Sequence, residues 1–270
     1  MSVLKRIFGN KNKLLEIKSY LQEGIQYLEN NENEKALECF NQIILLNPKH
    51  SEAICKSGMA NKNKGDYVQA YKDFDKAIKY NSKNYEAYKN RSEILFMMDE
   101  YDKALKDINK VINLKPDCAE AYNLRGAAYG KTGNDELAFE DYNKAVELNP
   151  NEYSALYNRG GMYMEFEQFE KALDDFNAVI RLKSNHHEAY NNIGVAYDKI
   201  GDYQQAIKNY NEALKINSKF IGALNNRGRA YFKQKEYKKA MNDFTTTLKI
   251  VPEDNDARKM IGYLKDFIDE

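Results

Sequence analysis

Tryptophan is absent from this 270-residue chain, proline occurs 4 times, cysteine 3 times and histidine 3 times, and 41 basic residues balance 41 acidic ones. Each scarcity excludes something. Cys39, Cys55 and Cys118 are odd in number and lack CxxC spacing, which leaves neither a disulfide framework nor a zinc site and reads as reduced, inert thiols. His50 and the pair His186 and His187 stand without a Cys, Asp or Glu array at ligand spacing, so they read as junction residues, and no metal or other cofactor is expected. A formal net charge of zero supplies no field to hold nucleic acid or an anionic membrane. No apolar run approaches the roughly 18 residues of a membrane helix, and the N-terminus lacks a signal-peptide core, so a cytoplasmic protein without an integral membrane segment is expected. Nucleophile and metalloprotease signatures are missing, and surface carboxylates alone do not define an acid/base pair, so no enzyme is expected.

What is present is a period. Ala36, Ala70, Ala104, Ala138, Ala172, Ala206 and Ala240 lie 34 residues apart, and Pro48, Pro116, Pro150 and Pro252 are separated by two, one and three such periods. Gly24, Gly58, Gly126, Gly160, Gly194, Gly228 and Gly262 form a second comb, interrupted only by Ser92. A fixed period in this range specifies a solenoid in which neighbours bury one another. With Ile17 as position 1, seven units follow without a linker: 17–50, 51–84, 85–118, 119–152, 153–186, 187–220 and 221–254. In each, apolar residues recur three or four apart in two blocks, as in Tyr122, Ala128 and Tyr129, then Ala138, Tyr142 and Ala145. A turn such as Gly133-Asn134 separates the blocks and Asn-Pro ends the second, so each unit is a helical hairpin. Small residues at positions 8 and 20 let the two helices approach, and alanine at position 3 marks a second close contact between units.

Units such as AEAYNLRGAAYGKTGNDELAFEDYNKAVELNPNE resemble tetratricopeptide repeats, over residues 17 to 254. Ser82, Ser184 and Ser218 depart from the pattern by replacing the proline at position 32, and Ser19 stands where later units have the first alanine. The resemblance implies an all-α, right-handed superhelix whose concave groove is lined by first helices. Residues 255–270 then form a capping helix with Ala257, Met260, Ile261, Leu264, Phe267 and Ile268 inward and Lys259, Lys265 and Asp269 outward. Residues 1–16 form a basic N-terminal segment in which Val3, Leu4, Ile7 and Phe8 share one face; it anchors weakly to a membrane or partner, packs over the first unit, or stays disordered.

Position 7 is Arg91, Arg125, Arg159 and Arg227, and position 23 of the same units is Asp107, Asp141, Asp175 and Asp243. The spacing predicts an ion pair joining the two helices of a hairpin, with Asp73 left over opposite Ser57. A bond between units is the rival reading, and it would set Arg227 against Asn209.

GAAYGKT at Gly126 to Thr132 is not a phosphate-binding loop, because Arg125 stands where the motif needs its first glycine and the segment is helical. The first helices are more informative. Asn90, Asn158, Asn192 and Asn226 occupy position 6, with Asn123, Asn191 and Asn225 one residue earlier. An asparagine amide both donates and accepts, so a stacked row can hold the backbone of an extended peptide, as the asparagine ladders of this family imply. Equally, asparagine is an ordinary helix-face residue at this position of the family. Ala127, Gly130 and Gly161 leave space beside the row, and Phe96, Met97, Tyr157 and Met164 either wall a pocket or pack internally. Arg229, Lys233 and Lys199 would favour an acidic ligand. The carboxylate clamp of chaperone-binding members is not reproduced from Lys89 onward, where Glu93, Leu124, Ser154 and Asn158 fall at its positions. The expectation is a non-enzymatic scaffold for a protein or peptide; the alternative is an assembly protein that self-associates through its ends.

Overall fold

The computed structural model describes residues 2–268, with side chains placed for residues 12–267. The expected apolar face of residues 3–8 and the side chains of Ile268 and Asp269 lie outside the described residues. Among those residues the chain forms fifteen helices and no strand. In order they are α1 Ser2–Glu29, α2 Asn33–Leu46, α3 Ser51–Asn63, α4 Tyr67–Tyr80, α5 Tyr85–Met97, α6 Tyr101–Leu114, α7 Ala119–Lys131 and α8 Asp135–Leu148. There follow α9 Tyr153–Glu165, α10 Phe169–Leu182, α11 His187–Ile200, α12 Tyr203–Ile216, α13 Ile221–Lys233, α14 Tyr237–Ile250 and α15 Asn255–Ile268. Two compact units, Met1–Asp141 and Tyr142–Glu270, divide the chain, and each is a run of helical hairpins stacked on their neighbours, an α-solenoid. No helix among the described residues is long and apolar enough to cross a membrane.

The hairpins start and stop for local reasons. His50, Asn84 and His186 accept a hydrogen bond from the backbone N–H of Ala53, Ala87 and Ala189, so two of the three junction histidines are helix caps. Every hairpin turn passes through one left-handed residue at position 15. Gly65, Gly133 and Gly201 supply it without strain, whereas Asn31, Asp99, Glu167 and Lys235 adopt it at φ of 56 to 61°.

Both alanine combs are buried to 1% exposure or less. The glycine comb has a more specific partner than the opposite backbone. A Cβ built on Gly24, Gly58, Gly160, Gly194 or Gly228 would stand 2.5–2.9 Å from the ring of Phe40, Phe74, Phe176, Tyr210 or Phe244, the position-24 residue of the same hairpin. Each ring lies flat in the space a side chain would take. Where the comb breaks, at Ser92, position 24 is Ile108, a smaller residue, and the buried serine hydroxyl donates to the Lys89 carbonyl at 2.6 Å. A larger residue at one position is matched by a smaller one at the other.

The charge pairs lie within hairpins. Arg91, Arg125, Arg159 and Arg227 each grip Asp107, Asp141, Asp175 or Asp243 with two N–H groups at 2.7–2.8 Å. The aspartates are 1–6% exposed. The rival pairing with position 23 of the preceding unit does not form, and Arg227 does not meet Asn209; the third arginine nitrogen nevertheless crosses to the preceding unit at another position. It donates to position 25 there: Asp75, Asn109, Asn143 and Asn211, at 2.8, 2.8, 3.3 and 2.5 Å. The four guanidinium groups also lie over tyrosine rings, as Arg159 does over Tyr163 at 5.7 Å. One side chain therefore ties its own hairpin together and fixes its register on the preceding one. Asp73 is not left over: it accepts from Asn61 and Gln69 at 2.8 Å, while burial pushes its carboxyl above the usual range.

α15 closes the second unit. Ala257 and Leu264 are fully buried and Met260 and Ile261 half-buried, as expected, but Phe267 remains 45% exposed because it stacks at 5.0 Å on the outer side of Tyr237 instead of entering the core. Exposed Arg258 and Lys265 take the places that apolar residues hold on most other first helices, positions 4 and 11, which removes the apolar face a further second helix would need.

Arg159→Ile alone strands the buried Asp175 and is expected to cost about 3 kcal/mol. Adding Asp175→Asn recreates the Ile193 and Asn209 combination of the next unit and is expected to recover all but about 1 kcal/mol. Urea unfolding of both variants measures the difference.

Candidate functional site

Position 6 falls on the first helix of each hairpin, and the two units use it differently. In the first, Lys62 on α3 reaches forward to α5, where it donates to Asn90 and Glu93, both at 2.6 Å. The Asn90 amide in turn donates to the Glu86 carbonyl one turn back at 2.9 Å, and the residue is only 4% exposed. Lys56 bonds Glu86 at 2.9 Å beside it. Asn90 is thus enclosed by a lysine bridge between consecutive first helices, and the expectation that it faces a ligand is corrected. Phe96 is half-buried: its ring meets Tyr101 edge-on at 5.3 Å and packs on the cluster of Leu95, Ala104 and Ile108. Met97, by contrast, is 59% exposed, and Asn123 lies half-buried on α7.

In the second unit the amides join into a row. Asn226 on α13 donates to Asn191 at 3.1 Å, Asn191 to Asn192 at 3.3 Å, and Asn192 to the Tyr157 hydroxyl on α9 at 3.1 Å. Three consecutive first helices are linked in this way, α13 to α11 by an amide-to-amide bond and α11 to α9 by an amide-to-hydroxyl bond. Asn192 and Asn226 are half-buried, and an amide has two N–H groups and a carbonyl with two lone pairs, so neither is saturated by these bonds. Asn158 lies half-buried on α9 at the start of the row. Tyr157 is fixed by stacking at 5.0 Å on His186 and by Phe176 at 5.7 Å, and burial raises its hydroxyl pKa. Met164 packs with Tyr157 onto the cluster of Ala172, Phe176, Ile193 and Ala196. Gly161, between them on α9, has open space where its Cβ would be.

The cations at the end of the row are largely answered from within. Arg229 pairs with Asp256 at 3.1 Å, and Lys233 with Asp198 at 2.7 Å while lying 5.0 Å over Tyr203. Lys199 is exposed. Sequence reasoning counted the positive charges and missed Asp198 and Asp256, which lie on the adjacent first helices; only the spacing of about one repeat, 35 and 27 residues, hinted at contact.

The three cysteines are buried and unpaired, and burial pushes the Cys55 thiol up to about 12, far from a reactive thiolate. Among the described residues no group of three or more His, Cys, Asp and Glu is placed to hold a metal ion.

Models of the tetratricopeptide repeat match residues 17–50, 64–128, 119–152, 153–186, 187–220 and 222–254. No curated protein matches the chain significantly. Among solved structures, the APC/C hetero-tetramer Cut9-Hcn1 is similar over 91% of this chain and 48% of its own, with TM-score 0.76 and 19% identity; this chain spans about half the length of that one. A tetratricopeptide repeat protein from Parabacteroides merdae is similar over 93% of this chain and 99% of its own, with TM-score 0.62 and 17% identity. YrrB, described as a TPR protein with an unusual peptide-binding site, is similar over 70% of this chain and 97% of its own, with TM-score 0.56 and 22% identity. At these identities the likeness is one of fold.

His186 both stacks on Tyr157 and caps α11 by accepting from Ala189 at 3.3 Å, and burial lowers its pKa below 6.5. The unfolded chain then takes up the proton first, so stability present above pH 6.5 is expected to fall as pH drops below it. His186→Asn copies the Asn84 cap and is expected to flatten that dependence, read as the difference in thermal midpoint between the two proteins across the pH range.

Proposed function

We infer a protein-binding role from one premise: the chain belongs to the tetratricopeptide repeat family, whose repeats bind proteins or peptides. The chain acts as a non-enzymatic scaffold or adaptor that receives an extended peptide or a partner helix on the face of its first helices. The observation that carries this reading is the amide row of the second unit, in which Asn226, Asn191, Asn192 and Tyr157 hold one another in place across three helices. Bonds within the row orient the amides before any ligand arrives, which lowers the ordering cost of binding. Their remaining donors and acceptors match the N–H and C=O groups of a peptide backbone and read no side chain. Asn158 extends the row, and the open space beside Gly161, with Met164 and Tyr157 next to it, leaves room for an apolar side chain of the ligand. Asn90 and Phe96, committed to internal packing, have no part in it.

The second reading, self-association through the ends, finds less support at α15, where Arg258 and Lys265 occupy the side that a further helix would cover.

A variant with Asn158→Ala, Asn192→Ala and Asn226→Ala, shown by circular dichroism to be as helical as the wild type, tests the role. Partners recovered from the native cell extract by the wild type are identified by mass spectrometry and titrated against both proteins. Loss of about 1 kcal/mol per amide bond is expected to weaken the complex roughly a hundredfold. Equal recovery and equal affinity would exclude the row from binding.

A further inference from the structure

The stacking of equivalent hairpins supplies an internal comparison at every surface position. At the hairpin-turn edge of the first unit, position 18 of one repeat meets position 14 of the next. Between the first two repeats these are Glu34 and Lys64, and they form an ion pair at 3.2 Å. Between the second and third they are Val68 and Met98, which are 68% and 62% exposed. Position 18 is polar or charged in every other repeat: Glu34, Asp102, Glu136, Glu170, Gln204 and Lys238. The solvent-facing ion pair at this edge is replaced here by two exposed apolar side chains.

What they open onto is a cleft of about 250 Å³, walled by Tyr67 and Tyr71 of α4, by Leu95 of α5, and by Val68 and Met98 themselves. That volume falls short of the roughly 300 Å³ at which drug-sized ligands begin to fit, so it suits one or two protein side chains. Methionine lines such surfaces well because its unbranched chain repacks around what it meets. Lys72 and Lys103 stand on the rim with one acid, Glu100, which Lys103 engages at 3.0 Å. Among the described residues no carboxylate pairs with Lys72, so the rim carries one cation without an internal answer.

We propose that this cleft is a second docking site, separate from the amide row, for a short acidic segment of a partner protein. The segment inserts one large apolar side chain between Val68, Tyr71 and Met98 and sets an aspartate or glutamate next to it against Lys72. The apolar contact supplies the affinity, since buried anchors dominate small interfaces. The lysine selects the flanking charge and makes binding weaken with salt.

Val68→Glu with Met98→Lys tests the site without endangering the fold, because it installs the ion pair that the preceding repeats already carry. Random peptides displayed on phage are selected on the full chain, and the enriched peptide is synthesised with a fluorescent label and titrated by anisotropy. Enriched sequences are expected to place Leu, Phe or Met beside Asp or Glu. They are expected to bind the double variant about tenfold more weakly or worse, and the Asn158→Ala, Asn192→Ala and Asn226→Ala variant unchanged. The proposal is overturned if enriched peptides lack that pattern, if the double variant binds them as the wild type does, or if only the asparagine variant loses them. Sedimentation supplies the remaining outcome: dimers formed by the wild type and abolished in the double variant would assign the cleft to a second copy of the chain.

Discussion

A ring lying against a glycine is the contact from which the rest of this protein follows. At position 8 the first helix gives up its side chain, and at position 24 the second helix fills the vacancy with phenylalanine or tyrosine. The exchange brings the two helices close enough for alanine at position 20 to be fully buried and for an arginine at position 7 to reach an aspartate at position 23. Dispersion between a flat ring and a bare backbone has no directionality to hold a crossing angle. The bidentate arginine does have it, and its third nitrogen locks that orientation to the preceding hairpin. Packing thus sets the distance and the ion pair sets the register. Because one or both of these contacts recur from hairpin to hairpin, side chains at like or neighbouring positions of successive first helices, such as Asn226, Asn191 and Asn192, are brought within bonding distance.

Much of this was legible in the sequence because the period multiplies each weak signal. One alanine says little, while seven in phase define a buried position. The Arg and Asp pairing could be read from its covariation along the chain, Ile193 standing with Asn209 where the charges are missing. The same method fails wherever a partner comes from a different position of a neighbouring repeat. Asn90 looked like Asn192 by position, yet its surroundings are set by Lys62, which has no counterpart in the later repeats. Arg229 and Lys233 looked available until Asp256 and Asp198 were placed beside them. The left-handed turn residue was visible as glycine three times and hidden as Asn31, Asp99, Glu167 and Lys235, because at a surface turn the conformation costs little enough for many side chains to tolerate it.

Function in a repeat protein is written in the departures from its period. The shared residues explain why the hairpins stack and nothing about what they bind, since each has an equally good structural role in every unit. What distinguishes one stretch of surface from another is a residue the packing does not require: an amide that still has donors to offer after its neighbours are served, or a valine where all other repeats keep a polar group. The first unit spends its position-6 amide on a lysine bridge and opens an apolar cleft at its turn edge, while the second keeps its amides half-exposed in a row. The two halves of the array are built alike and present different chemistry.

The contact between ring and glycine can be measured directly with a double-mutant cycle on Gly228→Ala and Phe244→Leu, using free energies of unfolding from urea titration. If the glycine exists to receive the ring, the methyl group introduced at 228 clashes with Phe244, at 2.9 Å, and not with the smaller leucine, so the two changes together cost less than their sum by about 1 kcal/mol or more. That is the combination Ser92 and Ile108 already approximate. Additivity to within about 0.5 kcal/mol would mean that the two positions do not sense each other, and the central packing contact of the account would be wrong.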